Sequence, residues 1–164
     1  MSDTYERLIS VLDAAGASYR LIDHEPEGQT DRVSALRGHP VAAAAKCIVL
    51  IVKLGRKSTR FVLAVVPGDA RVDIGKIRRL FEGATYAGFA QTEVAERLAG
   101  SVAGTVLPFA FHEDLSLIAD PAITQHPEIF FNAARLDRSM ALATADYVRI
   151  AEPRLENIAA NGVA

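Results

Sequence analysis

KCIVLIVKLGRKSTRFVLAVV, residues 46–66, is the stretch whose reading decides the fold. Cys47 to Val52 and Arg60 to Val66 are nearly continuous apolar runs of strand length. Lys53 to Thr59 joins them, with Gly55 in the turn, which predicts a β-hairpin. A strand that is apolar at almost every position has no face to show to water, so both are expected inside a sheet covered on each side. Pro67-Gly68 ends the second strand, and Lys46 opens the first.

Upstream, Asp3 to Ala15 puts Tyr5, Leu8, Ile9, Leu12 and Ala15 on one helical face, with Asp3 and Glu6 at capping-box spacing and Gly16 as the stop. That helix should lie as a lid on the sheet. Tyr19 to Ile22 reads as a short strand and residues 24–29 as a polar loop. Thr30 is expected to cap a short helix, Asp31 to Leu36, ending at Gly38-His39-Pro40, with another helical turn at Val41 to Ala45. Downstream, helical spacing covers Asp73 to Phe81, and a further helix runs from Gln91-Thr92 to Leu98, closed by Gly100. Leu115 to Ala119, Ile129 to Asn132 and Ser139 to Ala143 read as strands, with a turn over Asn132 to Arg138 and a last short helix capped by Thr144 and running through Asp146-Tyr147. Strands and helices mix without βαβ alternation. The expected fold class is therefore α/β of the α+β type, a curved mixed β-sheet or partial barrel with flanking helices. No repeat or Pro/Ser linker divides the chain, so residues 1–164 are expected to form a single domain.

The 164 residues are half hydrophobic and 23% charged, with a formal charge of −2. That balance excludes bulk, counterion-driven coating of nucleic acid. Residues 46–79 nevertheless hold nine basic and two acidic residues, +7 against −9 for the rest. Such a segment is either a face for a polyanion or a set of solvated turns and helix faces. One cysteine, Cys47, allows neither an internal disulfide nor a cysteine-ligated zinc site, which fits a reducing, cytoplasmic setting. The first residues lack a signal-peptide pattern, and no apolar run approaches the length that spans a bilayer, so no membrane partner is expected.

Phosphate-loop, dinucleotide, zinc-protease and serine-hydrolase signatures are absent, and His24, His39, His112 and His126 share no ligand spacing, so neither metal nor cofactor is expected. Three features remain. Lys46 stands where an Ala-rich turn meets the most apolar strand. It either presents its ammonium to a phosphate or a developing negative charge, or snorkels past the strand end to water. Gly104-Thr105-Val106-Leu107-Pro108 is either a loop whose N–H groups bind a carbonyl or oxyanion, or a plain turn. His126-Pro127 leads through Phe130-Phe131 to Asn132, which either orients a substrate or simply turns the chain.

Taken together, His24-Glu25-Pro26, the helix opened by Thr30, Lys46 before the apolar hairpin, G-T-V-L-P-F at 104–109 and the 126–133 segment resemble the YbaK/ProX family, free-standing relatives of the editing domain of bacterial prolyl-tRNA synthetases. The resemblance covers about residues 5–151. Leu107 stands where Ser or Thr is common, Ile22 where some members have Tyr, and Ser139 where the cysteinyl-deacylase branch carries Asp.

The resemblance implies a trans-acting aminoacyl-tRNA deacylase for translation quality control. Its substrate would be a mischarged tRNA, proline tRNA carrying Ala, Cys, Ser or Thr above all. Its partners would be the 3′-terminal adenosine and acceptor end, and a synthetase, with no DNA. Lys46 then carries the catalytic role, and Gly104, Thr105, Val106, Leu107 and Pro108 bind the aminoacyl group. His24, His126 and Asn132 are expected to line the pocket. The alternative reading is a non-catalytic module for tRNA 3′ ends or a synthetase.

Overall fold

The computed structural model describes residues 2–160. Its elements in chain order are α1 (Ser2–Ala14), β1 (Tyr19–Asp23), α2 (Thr30–Arg37), β2 (Ala45–Leu54), β3 (Ser58–Pro67), α3 (Ile74–Arg79), β4 (Tyr86–Phe89), α4 (Thr92–Ala99), β5 (Leu115–Ala119), β6 (Glu128–Asn132), β7 (Arg138–Ala143), α5 (Thr144–Ala151) and β8 (Arg154–Leu155). Short 3₁₀ turns at Val41–Ala43 and Pro121–Gln125 complete it.

The hairpin forms as the sequence predicts and is longer at both ends. β2 and β3 pair antiparallel from Ala45 opposite Pro67 to Leu54 opposite Ser58, leaving Gly55 to Lys57 as the turn. Both strands are interior to a five-stranded sheet of order β4-β2-β3-β5-β8, mixed because β3, β5 and β8 run parallel. Alternation along β3 sends Val62, Ala64 and Val66 to one face, packed with Leu50, Val52 and Ile77. Leu63 and Val65 go to the other, so each face is covered.

The remaining strands form a second, antiparallel sheet of order β1-β7-β6. The α/β class with a mixed sheet and flanking helices stands, but the strands fall into two sheets and no barrel closes. A parallel bridge between Ala44 and Phe130 ties the sheets together where β2 begins. One face of the small sheet presents Ile129, Phe131, Met140 and Leu142 to Leu8 and Leu12 of α1 and Tyr147 of α5, the expected lid. Its other face carries Phe130, Asn132, Ser139 and Ala141 and is covered by the chain around His39 and Ala43.

Several local expectations shift. Asp3 lies inside the first turn of α1 rather than capping it. The cap positions of α2 and α5 fall on Gln29 and Ala143, so Thr30 and Thr144 are first helical residues. Thr144 Oγ1 instead donates to the His126 carbonyl at 2.6 Å. Asp73 does cap α3, accepting from the Lys76 N–H at 3.1 Å. Val41 to Ala45 is only one 3₁₀ turn, and Ala45 already belongs to β2, so Lys46 is a strand residue. β4, β8 and the turn at Pro121–Gln125 have no counterpart in the sequence reading.

Candidate functional site

Residues from four places converge on one cavity of about 230 Å³. Gly28, Thr30, Val33 and Arg37 come from α2 and the loop before it. Ala44, Ala45, Lys46 and Cys47 come from the start of β2, Gly104 and Val106 from the loop after α4, and Phe131 and Asn132 from the end of β6. Two cations and no carboxylate line this space.

Lys46 is half-buried on the rigid hairpin and makes no ion pair among the described residues. Burial, and secondarily the nearby Arg71, push its pKa below the ordinary 10.5, while Asp69 opposes them. Apart from Arg71, the basic residues whose places follow do not join it. The Gly55–Lys57 turn lies eight strand residues beyond Lys46, roughly 26 Å at the usual rise. Lys76 is tied to Asn157 Oδ1 and the Ala159 carbonyl, and Lys53 lies over the Tyr86 ring. The +7 segment is therefore not one face.

The 104–108 loop divides. Gly104 and Val106 reach the cavity, and neither N–H donates to a protein acceptor among the described residues. Gly104 has φ +87°, and a Cβ there would sit 3.0 Å from the Gly28 Cα, so only glycine fits between the two loops. Thr105 turns away: its N–H and Oγ1 both donate to the Val102 carbonyl, and it lines a separate apolar pocket with Tyr5 and Leu136. Leu107 joins the main core and Pro108 is buried, so neither touches the cavity.

Asn132 is buried and saturated. Its Nδ2 donates to the carbonyls of Glu27 at 2.8 Å and Gly104 at 2.9 Å, and its Oδ1 accepts from Ser139 Oγ at 2.9 Å and Arg37 Nη2 at 3.3 Å. A side-chain amide has two donors and two acceptor sites, so none remains for a substrate. Its geometry is that of a clamp holding the Gly28 and Gly104 loops against β6. His24 lies behind this clamp, with Nε2 2.6 Å from Ser139 Oγ and Nδ1 2.8 Å from the Glu25 carbonyl, and does not reach the cavity. Nor does His126, whose backbone carbonyl anchors α5.

Arg37 carries no signal in the sequence, and Ser139 enters it only as a departure from one branch of the family the chain resembles. Arg37 sits in the last turn of α2, where a cation looks like an ordinary partner for the helix end. Ser139 follows Arg138 at the start of an otherwise apolar strand and is fully buried opposite Asn132. Only the tertiary arrangement brings them together.

Activated nucleophiles are missing from the wall. Burial pushes the Cys47 thiol well up, away from thiolate. Ser139 has no exposed surface, and its oxygen is taken by His24, Arg37 and Asn132. Among the described residues no three His, Cys, Asp or Glu side chains gather closely enough to hold a metal ion. No helix among them is long and apolar enough to cross a membrane.

Two sheets with flanking helices, a cationic cleft and no activated thiol on its wall suit a domain that handles an already activated ester. Comparison with known proteins gives the same class: residues 24–150 match the aminoacyl-tRNA editing domain, and the chain belongs to that family. The Multifunctional Ser/Thr-tRNA deacylase ProXp-y of Escherichia coli (strain K12) is 40% identical over 157 residues, 95% of this chain and 93% of the relative. Two solved structures share the fold at 18% identity. One is a hypothetical protein, with TM-score 0.83 over 94% of this chain and 99% of its own. The other is a candidate trans-editing enzyme for prolyl tRNA synthetase, with TM-score 0.79 over 98% and 99%.

Proposed function

We propose that this aminoacyl-tRNA deacylase acts in trans, in the cytoplasm, on tRNA whose terminal adenosine carries a small wrong amino acid. Seryl and threonyl esters come first, alanyl and cysteinyl esters after them, with proline tRNA as the carrier and a synthetase as a further partner. The observation that carries the reading is the cavity itself, where Lys46, Gly104 and Val106 share the wall, the two loop N–H groups have no protein acceptor among the described residues, and the Cys47 thiol is held away from thiolate. At about 230 Å³ it is smaller than the roughly 300 Å³ at which sites for drug-sized ligands begin. It suits an aminoacyl group, with the nucleoside outside.

An aminoacyl ester is activated, so positioning and charge stabilisation suffice. In this reading the ester carbonyl points at the N–H groups of Gly104 and Val106, with the Lys46 ammonium beside the ester. A water, held beside the neighbouring ribose hydroxyl, attacks the carbonyl carbon. The carbonyl electron pair moves to oxygen, where the backbone donors hold it. The carbon–oxygen bond to the ribose then breaks, the ribose oxygen takes up one of the water's protons, the other is released to solvent, and the amino acid leaves as its carboxylate. Asn132 does not touch substrate. It fixes the Gly104 peptide and so acts as a positioning residue.

A panel of tRNAs charged with Ser, Thr, Ala, Cys and Pro tests this. Ser and Thr should be released fastest and Pro spared, and no release from any of the five would overturn it. Discrimination within the panel is expected to be modest where substrates differ by a methylene, worth about 1 to 3 kcal/mol.

A further inference from the structure

The Arg37 guanidinium is the one charged group of the cavity whose surroundings are built around it. Nε donates to Ser139 Oγ at 2.8 Å, Nη2 to Asn132 Oδ1 at 3.3 Å, and Nη1 to His39 Nε2 at 3.2 Å. His39 is held for this: its Nδ1 donates to the Pro40 carbonyl at 2.7 Å, and its ring stacks on Phe130 with centroids 3.8 Å apart. All three partners are neutral, and no carboxylate pairs with Arg37 among the described residues. Burial without a counter-charge lowers its pKa to about 10. A part-buried cation with no carboxylate partner costs stability unless an anion arrives to compensate it.

Donor counting says where that anion goes. A guanidinium has five N–H groups and three are engaged, leaving one on each terminal nitrogen, in a residue that lines the cavity. Two free N–H groups on one charged plane suit a phosphate or carboxylate. In an aminoacyl-tRNA the aminoacyl group contributes a cationic amine, and the only anions are phosphates. Asn132 also sets the spacing, because its amide joins the Gly104 carbonyl on one side to Arg37 on the other. An ester held at the Gly104 loop therefore has its nucleotide backbone within reach of Arg37.

We propose that Arg37, held by Ser139, Asn132 and His39, is the phosphate anchor of the site and binds the phosphodiester on the 5′ side of the terminal adenosine. Lys46 is thereby left for the ester and the ribose. The proposal rests on the deacylase reading above, and the wild-type release of serine from seryl-tRNA reports separately on that reading.

The test compares seryl-tRNA with 3′-O-seryl-adenosine, which has no phosphate. In the Arg37→Met protein the preference for seryl-tRNA over seryl-adenosine should fall at least tenfold, through KM rather than kcat. Arg37→Lys, which keeps the charge and loses the fork, should recover part of it. An unchanged preference, or a kcat loss equal on both substrates, would overturn the proposal, the second because it would mark Arg37 as an oxyanion donor. If the variants fail to fold, wild-type protein decides: cytidylyl-(3′→5′)-adenosine should compete with seryl-tRNA at least tenfold more strongly than adenosine does. Equal inhibition by the two would overturn the proposal.

Discussion

Along β3 every residue from Val62 to Val66 is apolar and buried, and the only charged side chain that the β2–β3 hairpin gives the cavity is Lys46 near its end. The β6–β7 pair borders the same space with Asn132 facing Ser139 across the ladder, both buried and polar. In the hairpin, cohesion comes from non-directional burial, so position follows from packing alone. In the β6–β7 pair it comes from directed hydrogen bonds that must all be made, since any one left open costs the desolvation of its partner. A rigid apolar floor carries the Lys46 cation, while a saturated polar wall sets where the loop and Arg37 stand.

The largest expected effect separates chemistry from support on the hairpin itself. Lys46→Ala should lower kcat/KM for the preferred charged tRNA by about 10² to 10³, the usual size for a lost charge-stabilising group, with the thermal midpoint little changed. Leu63→Ala, in the middle of β3, should do the reverse. It should cost about 2 to 5 kcal/mol in urea unfolding while the folded fraction keeps its turnover. Parallel loss of both properties in either variant would break the contrast drawn above.

Asn132→Ala should mix the two properties. It leaves the carbonyls of Glu27 and Gly104, and the donors of Arg37 and Ser139, without their partner, at roughly 1 to 3 kcal/mol of stability. Turnover should fall as well, because the Gly104 peptide loses its tether. Stability loss with unaltered kcat would show that Asn132 supports the fold alone.

The smallest effect is on pH. The Lys46 pKa is lowered below 10.5, so its ammonium loses the proton earlier than an exposed lysine would. After subtraction of spontaneous hydrolysis, kcat/KM should decline on the alkaline side with a midpoint below 10.5, and Lys46→Arg should move that decline upward. The sign for stability is opposite. The unfolded chain binds this proton more tightly, so the Lys46 contribution to folding improves as pH rises from its folded pKa toward 10.5. An activity midpoint at or above 10.5 would count against Lys46 as the titrating group.

How much was legible depended on range along the chain. Helix α1 and the hairpin are written in local periodicity, and the structure shifts the first by one residue and lengthens the second. β4 was missed because Tyr86–Phe89 is four residues with Gly88 inside, and it exists through pairing with β2. Of the proposed site, Lys46, Gly104, Val106 and Asn132 line the cavity, whereas Thr105, Leu107, Pro108, His24 and His126 are not on its wall. Arg37 shows the limit most clearly. It and the fully exposed-face Arg32 lie in the same short helix with similar neighbours, and only Arg37 meets Ser139, 102 positions away.

The sequence by itself determined the class of fold, the buried hairpin and the cation at its end, because burial of apolar side chains follows from composition and period. The division of the strands into two sheets, the saturation of Asn132 and the unpaired guanidinium of Arg37 were decided only by the tertiary structure. Hydrogen bonds between residues about a hundred positions apart depend on distance and direction in space, and no local pattern encodes either.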